Sequence, residues 1–290
     1  MVFEFKKGGN VEKSLNKYFL FFLGPTLLAF AIAFVVPFIM GIFLSFSRFT
    51  TMVDVQWVGF SNYIRAFSNR DFVNALGFSA LFTVVSVIII NVTAFCLALL
   101  LTRGYRGTNV FRTMIFMPNL IGGIVLGYIW QFIINGFLSI FGVTITVDPK
   151  YGFWGLILLS NWQFIGYMMI IFIAGIQNIP GEILEAAKID GAGRFATLWK
   201  IIIPQVMPSI TITLFMTITN SFKMFDQNLA LTAGLPGKQT AMLALDIFST
   251  FYNRAGWEGV GQAKAVMFFI MVVVISLVQI SITRRKEMTN

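Results

Sequence analysis

Apolar residues in this chain run in long blocks separated by short polar connections. Six blocks reach the roughly 20 residues that a helix needs to cross the hydrocarbon layer of a bilayer. They are Tyr18–Phe46, Phe72–Leu101, Phe111–Asn135, Tyr151–Gln177, Ile201–Phe222 and Ala265–Ile282. The pattern predicts an all-α integral membrane protein with six transmembrane helices. Residues 18–283 then form one membrane domain, with tails at 1–17 and 284–290 and no soluble domain. The first block contains Pro25 and Pro37, which predicts a kinked helix, and it is long enough to tilt.

Composition agrees with this class. Hydrophobic residues make up 57% of the chain and charged residues 11%, too apolar a surface for a soluble core to hide. There is no histidine and a single cysteine, Cys96. A disulfide within the chain and histidine-based metal or acid–base chemistry are therefore excluded, and a zinc site is not expected. Cys96 reads as a small packing residue. The N-terminal lysines precede an apolar run too long for a cleavable signal, and no small-x-small site follows it.

The net charge of +9 raises the question of nucleic acid, but the distribution of Lys and Arg answers it differently. Lys6, Lys7, Lys13, Lys17, Arg103, Arg106, Arg112, Lys188, Arg194, Lys200, Arg284, Arg285 and Lys286 fall on one side of the six spans. The other side has fewer cations in longer loops: Arg48, Arg65, Arg70, Lys150, Lys223, Lys238, Arg254 and Lys264. The positive-inside rule places the first set, and both termini, in the cytoplasm. A bacterial or archaeal cell membrane is the expected location.

The most charged connection is "EILEAAKIDGAGRF", between the fourth and fifth blocks. Pro180 suits a helix start, and Glu182 and Glu185 in the first turns complement the helix dipole. Ala186 and Ala187 offer a flat surface. Gly191 and Gly193 break the helix, and "RFATLWK" leads into the next span, with Pro204 and Pro208 near its start. The expectation is a helix, a tight turn and a second helix on the cytoplasmic face; charge alone fits a solvated loop equally well. The longest connection, Lys223–Lys264, is expected on the outer side and holds "LTAGLPGKQT", which superficially suggests a phosphate-binding loop. Gly237-Lys238 is followed by Gln239, and no Gly lies five residues before Gly237, so the motif fails.

The stretch "EAAKIDGAGRFATLWKIIIP" resembles the EAA loop of permease subunits of type I ATP-binding-cassette importers. Glu185-Ala186-Ala187, Gly191, Ile201 and Pro204 stand at that loop's spacing, with Ile203 where Leu is usual. "LSFSRF" and "WVGFSNYIRAF" near the start, and "LALTAGLPG" after the fifth block, are similar to the maltose-type sugar-permease branch, so the resemblance covers nearly the whole chain. It implies a compact six-span permease fold with a cytoplasmic coupling helix at about 182–204. Glu185, Ala186, Ala187, Asp190 and Gly191 would couple to an ATPase. It also implies two ATPase subunits that bind the ATP, a second and different permease subunit, an extracellular solute-binding protein, a sugar substrate and the lipid bilayer as partners. The chain itself would be no enzyme and would hold no cofactor or metal.

Neutral sugars are held by hydrogen bonds and aromatic faces. Span five has a polar stripe at Thr213, Thr217, Asn220/Ser221 and Met224. Span four has Asn161, Trp162, Gln163 and Tyr167, and span three has Asn119, Trp130 and Gln131. Either sugar contacts or interhelical hydrogen bonds account for such residues. The resemblance favours Gln163, Phe164 and Tyr167 before the EAA loop and Thr217, Ser221 and Met224 after it. Only Tyr167 keeps the family's residue type. The substrate-binding candidates are thus Gln163, Tyr167, Thr217, Ser221 and Asn119. Gly123 and Gly127 form a G-x-x-x-G pair, which reads as close helix packing. Two other classes fit less well. A secondary transporter usually shows an ionisable residue inside a span, whereas every Lys, Arg, Asp and Glu here reads as flanking. An intramembrane enzyme lacks its acid–base groups. A glycerol-phosphate permease shares the same signatures but would want a cation near its cavity.

Overall fold

A computed structural model describes residues 9–288 except Met52 and Tyr105, with side chains placed for Tyr18 and from 21 to 284. The chain runs α1 (Gly9–Phe30), a π-helical turn (Ala31–Val35), α2 (Val36–Ser45), β1 (Ser47–Arg48), β2 (Gln56–Trp57), α3 (Ser61–Phe67) and α4 (Arg70–Leu101). Next come α5 (Thr108–Phe116), a 3-10 turn (Met117–Leu120), α6 (Gly123–Leu138), α7 (Pro149–Gln177), α8 (Gly181–Ile189) and α9 (Arg194–Thr197). A second π-helical turn (Leu198–Ile202) leads to α10 (Ile203–Gln205), α11 (Met207–Phe222), α12 (Asp226–Leu231), α13 (Leu243–Tyr252) and α14 (Glu258–Met288).

Among the described residues, five helical stretches are long and apolar enough to cross a membrane: Phe21–Ser45, Arg70–Leu101, Gly123–Phe141, Pro149–Gln177 and Glu258–Arg284. A sixth is present if the bent pair Arg194–Gln205 and Met207–Phe222 is one span. The all-α architecture is thus as expected, while three spans differ in detail. The third does not run unbroken from Phe111. Pro118, which lacks an N–H, sits in the 3-10 turn, and Gly122 is extended, so the membrane-length helix begins at Gly123. The fifth is bent by 70° at Val206, between Pro204 and Pro208. The sixth starts at Glu258, well before Ala265. In the first span Pro25 is accommodated inside α1. The π-helical turn precedes Pro37, and the Val36 N–H reaches back five residues to Ala31 O.

The bundle is built around α7, in which 56% of the most apolar window is buried, against 6% in the first span. It packs most extensively on α4, and also on α5 and α11. One core lies among Phe82, Leu156, Leu159, Leu231 and Met242, and a second among Ile90, Ala94, Met168, Met169 and Phe172. A third joins Phe72, Phe222, Leu243 and Val272, so α14 closes on α4 and α11.

The connection Lys223–Lys264, expected as an outer loop, is folded into the bundle. Gln227, Asn228, Ala230, Leu231, Thr240 and Met242 are buried. The G-x-x-x-G pair makes this possible. A Cβ on Gly127 would lie 2.5 Å from Ala230 Cβ, and one on Gly123 2.8 Å from Asp226 Cβ, so α12 lies directly on the α6 backbone. Lys264 is also corrected. Counted as a loop cation, it is fully buried inside α14, where its Nζ meets Asp246 Oδ2 at 2.7 Å and donates to Thr250 Oγ1 at 2.8 Å.

The motifs "LSFSRF" and "WVGFSNY" form a clasp. β1 and β2 pair antiparallel, with Ser47 opposite Trp57. Buried Asn62 donates from Nδ2 to Ser45 O (3.0 Å) and Ser47 O (2.9 Å), and the Tyr63 and Ser45 hydroxyls lie 2.6 Å apart.

Candidate functional site

Two regions carry the candidate residues. The first is the stretch after α7. Pro180 precedes α8 as its N-cap rather than its first residue, and Glu182 sits in the first turn. The helix ends in a Schellman turn. The Gly191 N–H donates to Lys188 O (3.2 Å) and the Ala192 N–H to Ala187 O (2.9 Å). Gly191 has φ +73°, the left-handed region open to glycine at no steric cost. Gly193, extended, then starts α9. The helix–turn–helix expected from the sequence is the one observed.

Helix α8 has two faces. Glu182, Glu185, Ala186 and Ile189 recur at helical spacing and are all exposed; Ile189 is 85% exposed. Ala187 is buried at 7% exposure and Leu184 is half-buried, so these two seat the helix on the bundle. Of the five coupling candidates, Glu185, Ala186, Asp190 and Gly191 are therefore accessible, and Ala187 is not.

The second region is the polar interior. Gln163, buried on α7, donates from Nε2 to Ile121 O (3.3 Å) in the break before α6 and accepts from Gln227 Nε2 of α12 (2.8 Å). Asn119, half-buried, lies in the same break. Tyr167 is half-buried, its ring 6.4 Å from Phe116. Thr217 is buried; its hydroxyl donates to Thr213 O (2.7 Å) and accepts from Asn91 Nδ2 (3.2 Å). Ser221 and Met224 are buried as well. The structure therefore joins Gln163 to the segment holding Asn119. It places Thr217 in an interhelical hydrogen bond to α4, the second of the two roles open to it from sequence. Gln227, Asn228 and Asn91 were missed. Asn91 interrupts the apolar run "VIIINVTAF", a signal that was legible; the other two lay in what read as a loop.

A bundle of membrane-spanning helices with an exposed, charged helix–turn–helix projecting between its fourth and fifth spans is the fold of a polytopic permease. Residues 94–287 match the family of binding-protein-dependent transport system inner membrane components, and the chain belongs to that family. It is 41% identical over 274 residues to a probable starch degradation products transport permease, AmyD, of Thermoanaerobacterium thermosulfurigenes, covering 92% of this chain and 94% of that protein. It is 29% identical to a multiple sugar-binding transport permease, MsmF, of Streptococcus mutans, covering 96% and 99%. The fold is similar to a permease chain of a bacterial alginate ABC transporter, with a TM-score of 0.80 at 21% identity over 95% and 97% of the two chains. The resemblance to maltose-type permeases of ATP-binding-cassette importers is borne out by these relatives.

Proposed function

We infer that this chain is the membrane-spanning subunit of an ATP-driven, binding-protein-dependent importer of sugars, with oligosaccharides as the substrate class. It forms half of the translocation pore beside a second, different permease subunit. Two ATPase subunits bind and hydrolyse the ATP, and an extracellular binding protein delivers the solute. Both termini and α8 face the cytoplasm. The observation that carries the reading is the outward face of α8. A large apolar side chain, Ile189, stands almost fully exposed beside Glu185, on a helix seated by Ala187 and stopped by Gly191. Such a face is suited to a cleft on another protein, and a short rigid helix docked there transmits a partner's motion to α7 and to the bent fifth span.

The sugar names of the relatives supply the substrate class. For sugar passage, Gln163, Tyr167 and Asn119 are the candidates on the α6–α7 side. Thr217 and Ser221 would have to leave their buried positions, so a rearrangement of α11 against α4 is part of the cycle. A glycerol-phosphate substrate is disfavoured because the buried cation, Lys264, is already neutralised by Asp246. The test is the subunit composition of the native complex purified through a tag on this chain. The expected result is two ATPase chains and one different permease. Two copies of this chain without another permease would contradict the pore assignment, and absence of ATPase chains the coupling assignment.

A further inference from the structure

Behind the outward face of α8 lies a groove of about 1100 Å³. Its walls come from the ends of α4 and α7, the inner side of α8, and the segment Ala192–Ile202. Among the described residues its lining carries three cations, Arg103, Lys188 and Arg194, and no carboxylate. All three are exposed, and none forms an ion pair among the described residues. The rest of the lining is largely apolar, including Leu99, Ile176, Leu198 and Ile202. Phe195, in the lining, and Trp199, near it with ring centroids 6.0 Å apart, are 75% and 57% exposed. Exposed aromatics of this kind settle at the level of lipid headgroups.

We propose that this groove is a binding site for an anionic phospholipid of the cytoplasmic leaflet, its phosphate held by Arg103, Lys188 and Arg194 and its chains laid against the apolar wall. The proposal rests on the sidedness given above. Charge complementarity selects the headgroup. A basic pocket between membrane helices at the cytoplasmic surface is the form that anionic headgroups recognise. The two faces of α8 separate this ligand from the ATPase. Glu182, Glu185 and Ile189 point outward, while Leu184 and Lys188, one turn apart, line the groove. A lipid here would brace α8 against α4 and α7, so the membrane's anionic content would set how firmly the coupling helix is held.

The test uses the full chain in detergent with whatever subunits co-purify, titrated with phosphatidylglycerol and, separately, with phosphatidylcholine of the same chains. Native mass spectrometry counts retained lipid. One saturable phosphatidylglycerol per chain is expected, with phosphatidylcholine not retained. Each cation near an anionic surface is worth about fivefold in affinity, so R103Q/K188Q/R194Q should weaken binding by about 100-fold. K150Q/K223Q, removing exposed cations far from the groove, should leave it unchanged. Should the triple variant fail to fold, K188Q alone, with an expected fivefold loss, decides the matter. Equal retention of phosphatidylcholine, unchanged binding in the groove variants or an equal loss in K150Q/K223Q overturns the proposal. So does displacement of the lipid by inorganic phosphate alone, which would make this a free-anion site. Groove variants that shed ATPase subunits while keeping the lipid would assign the groove to the ATPase instead. A Glu185→Lys chain should retain the lipid whether or not it retains ATPases, so failure of the coupling reading leaves this result interpretable.

Discussion

Replacing Lys264 by Met leaves the Asp246 carboxylate buried beside an apolar side chain. In the native fold Lys264 Nζ lies 2.7 Å from Asp246 Oδ2 and 2.8 Å from Thr250 Oγ1, with Asn69 Oδ1 at 3.4 Å. The two charged side chains are 0% and 3% exposed. Removing one partner of such a pair costs about 3–5 kcal/mol, because the remaining charge keeps its desolvation penalty. Removing both, as in D246L/K264M, is expected to be neutral or stabilising by about 1–4 kcal/mol. The double variant should therefore be more stable than the single one, reversing the additive expectation. The pair joins α13 to α14 beside Asn69, the N-cap of α4, so the loss should appear as global unfolding. Denaturant or thermal unfolding of the purified chain in detergent, run on both singles and the double, gives the coupling energy directly. Additive costs, or a K264M chain within about 0.5 kcal/mol of wild type, would refute a buried, compensated pair. The contrast is Lys238, which meets Asp71 at 2.9 Å but is 44% exposed. Lys238→Ala should cost less than about 1 kcal/mol.

Three further outcomes follow from local geometry. Gly191→Val forces a β-branched residue to φ +73° at about 1–3 kcal/mol, so α8 should misplace and co-purified ATPase subunits should fall while membrane insertion is unchanged. Gly127→Val drives a side chain into Ala230 and Gln227 O, so the α6–α12 contact should open at about 1–3 kcal/mol, read as a lower unfolding midpoint. Asn62→Ala leaves Ser45 O and Ser47 O without their donor at about 1–3 kcal/mol, and protease sensitivity between Phe46 and Ser61 should rise.

Much of this was legible in the sequence. Long apolar blocks have one solution in a bilayer, the helix, so the class and the approximate spans follow from composition. The turn at Gly191 was legible because a glycine after a short charged helix has a defined backbone use. Hydropathy could not show the break at Met117–Gly122 or the bend at Val206, because Pro, Gly and their neighbours remain apolar enough to keep the average high. It also could not show that Lys223–Lys264 folds inward. That segment is polar because Gln227 donates to Gln163 Oε1 of α7, while Asn228 donates to Thr240 O and accepts from the Met242 N–H, partners that lie on other elements of the bundle. Lys264 was misread for the same reason: its partner Asp246 belongs to another helix. Thr217 shows the limit of a polar stripe, since a hydroxyl facing Asn91 and one facing a sugar look identical along the chain.

The central claim is that this chain moves sugar only when a separate ATPase drives it through α8. The direct measurement is uptake of a labelled malto-oligosaccharide into vesicles that contain the complete complex, with ATP inside and the solute-binding protein outside. The wild-type complex should take up the sugar only when both are present. Glu185→Lys, which reverses a charge on the exposed face of α8, should abolish both uptake and its stimulation of ATP hydrolysis, with the chain still folded and inserted. Uptake by this chain alone without ATPase subunits, or undiminished ATP-driven uptake in the Glu185→Lys complex, would contradict the account.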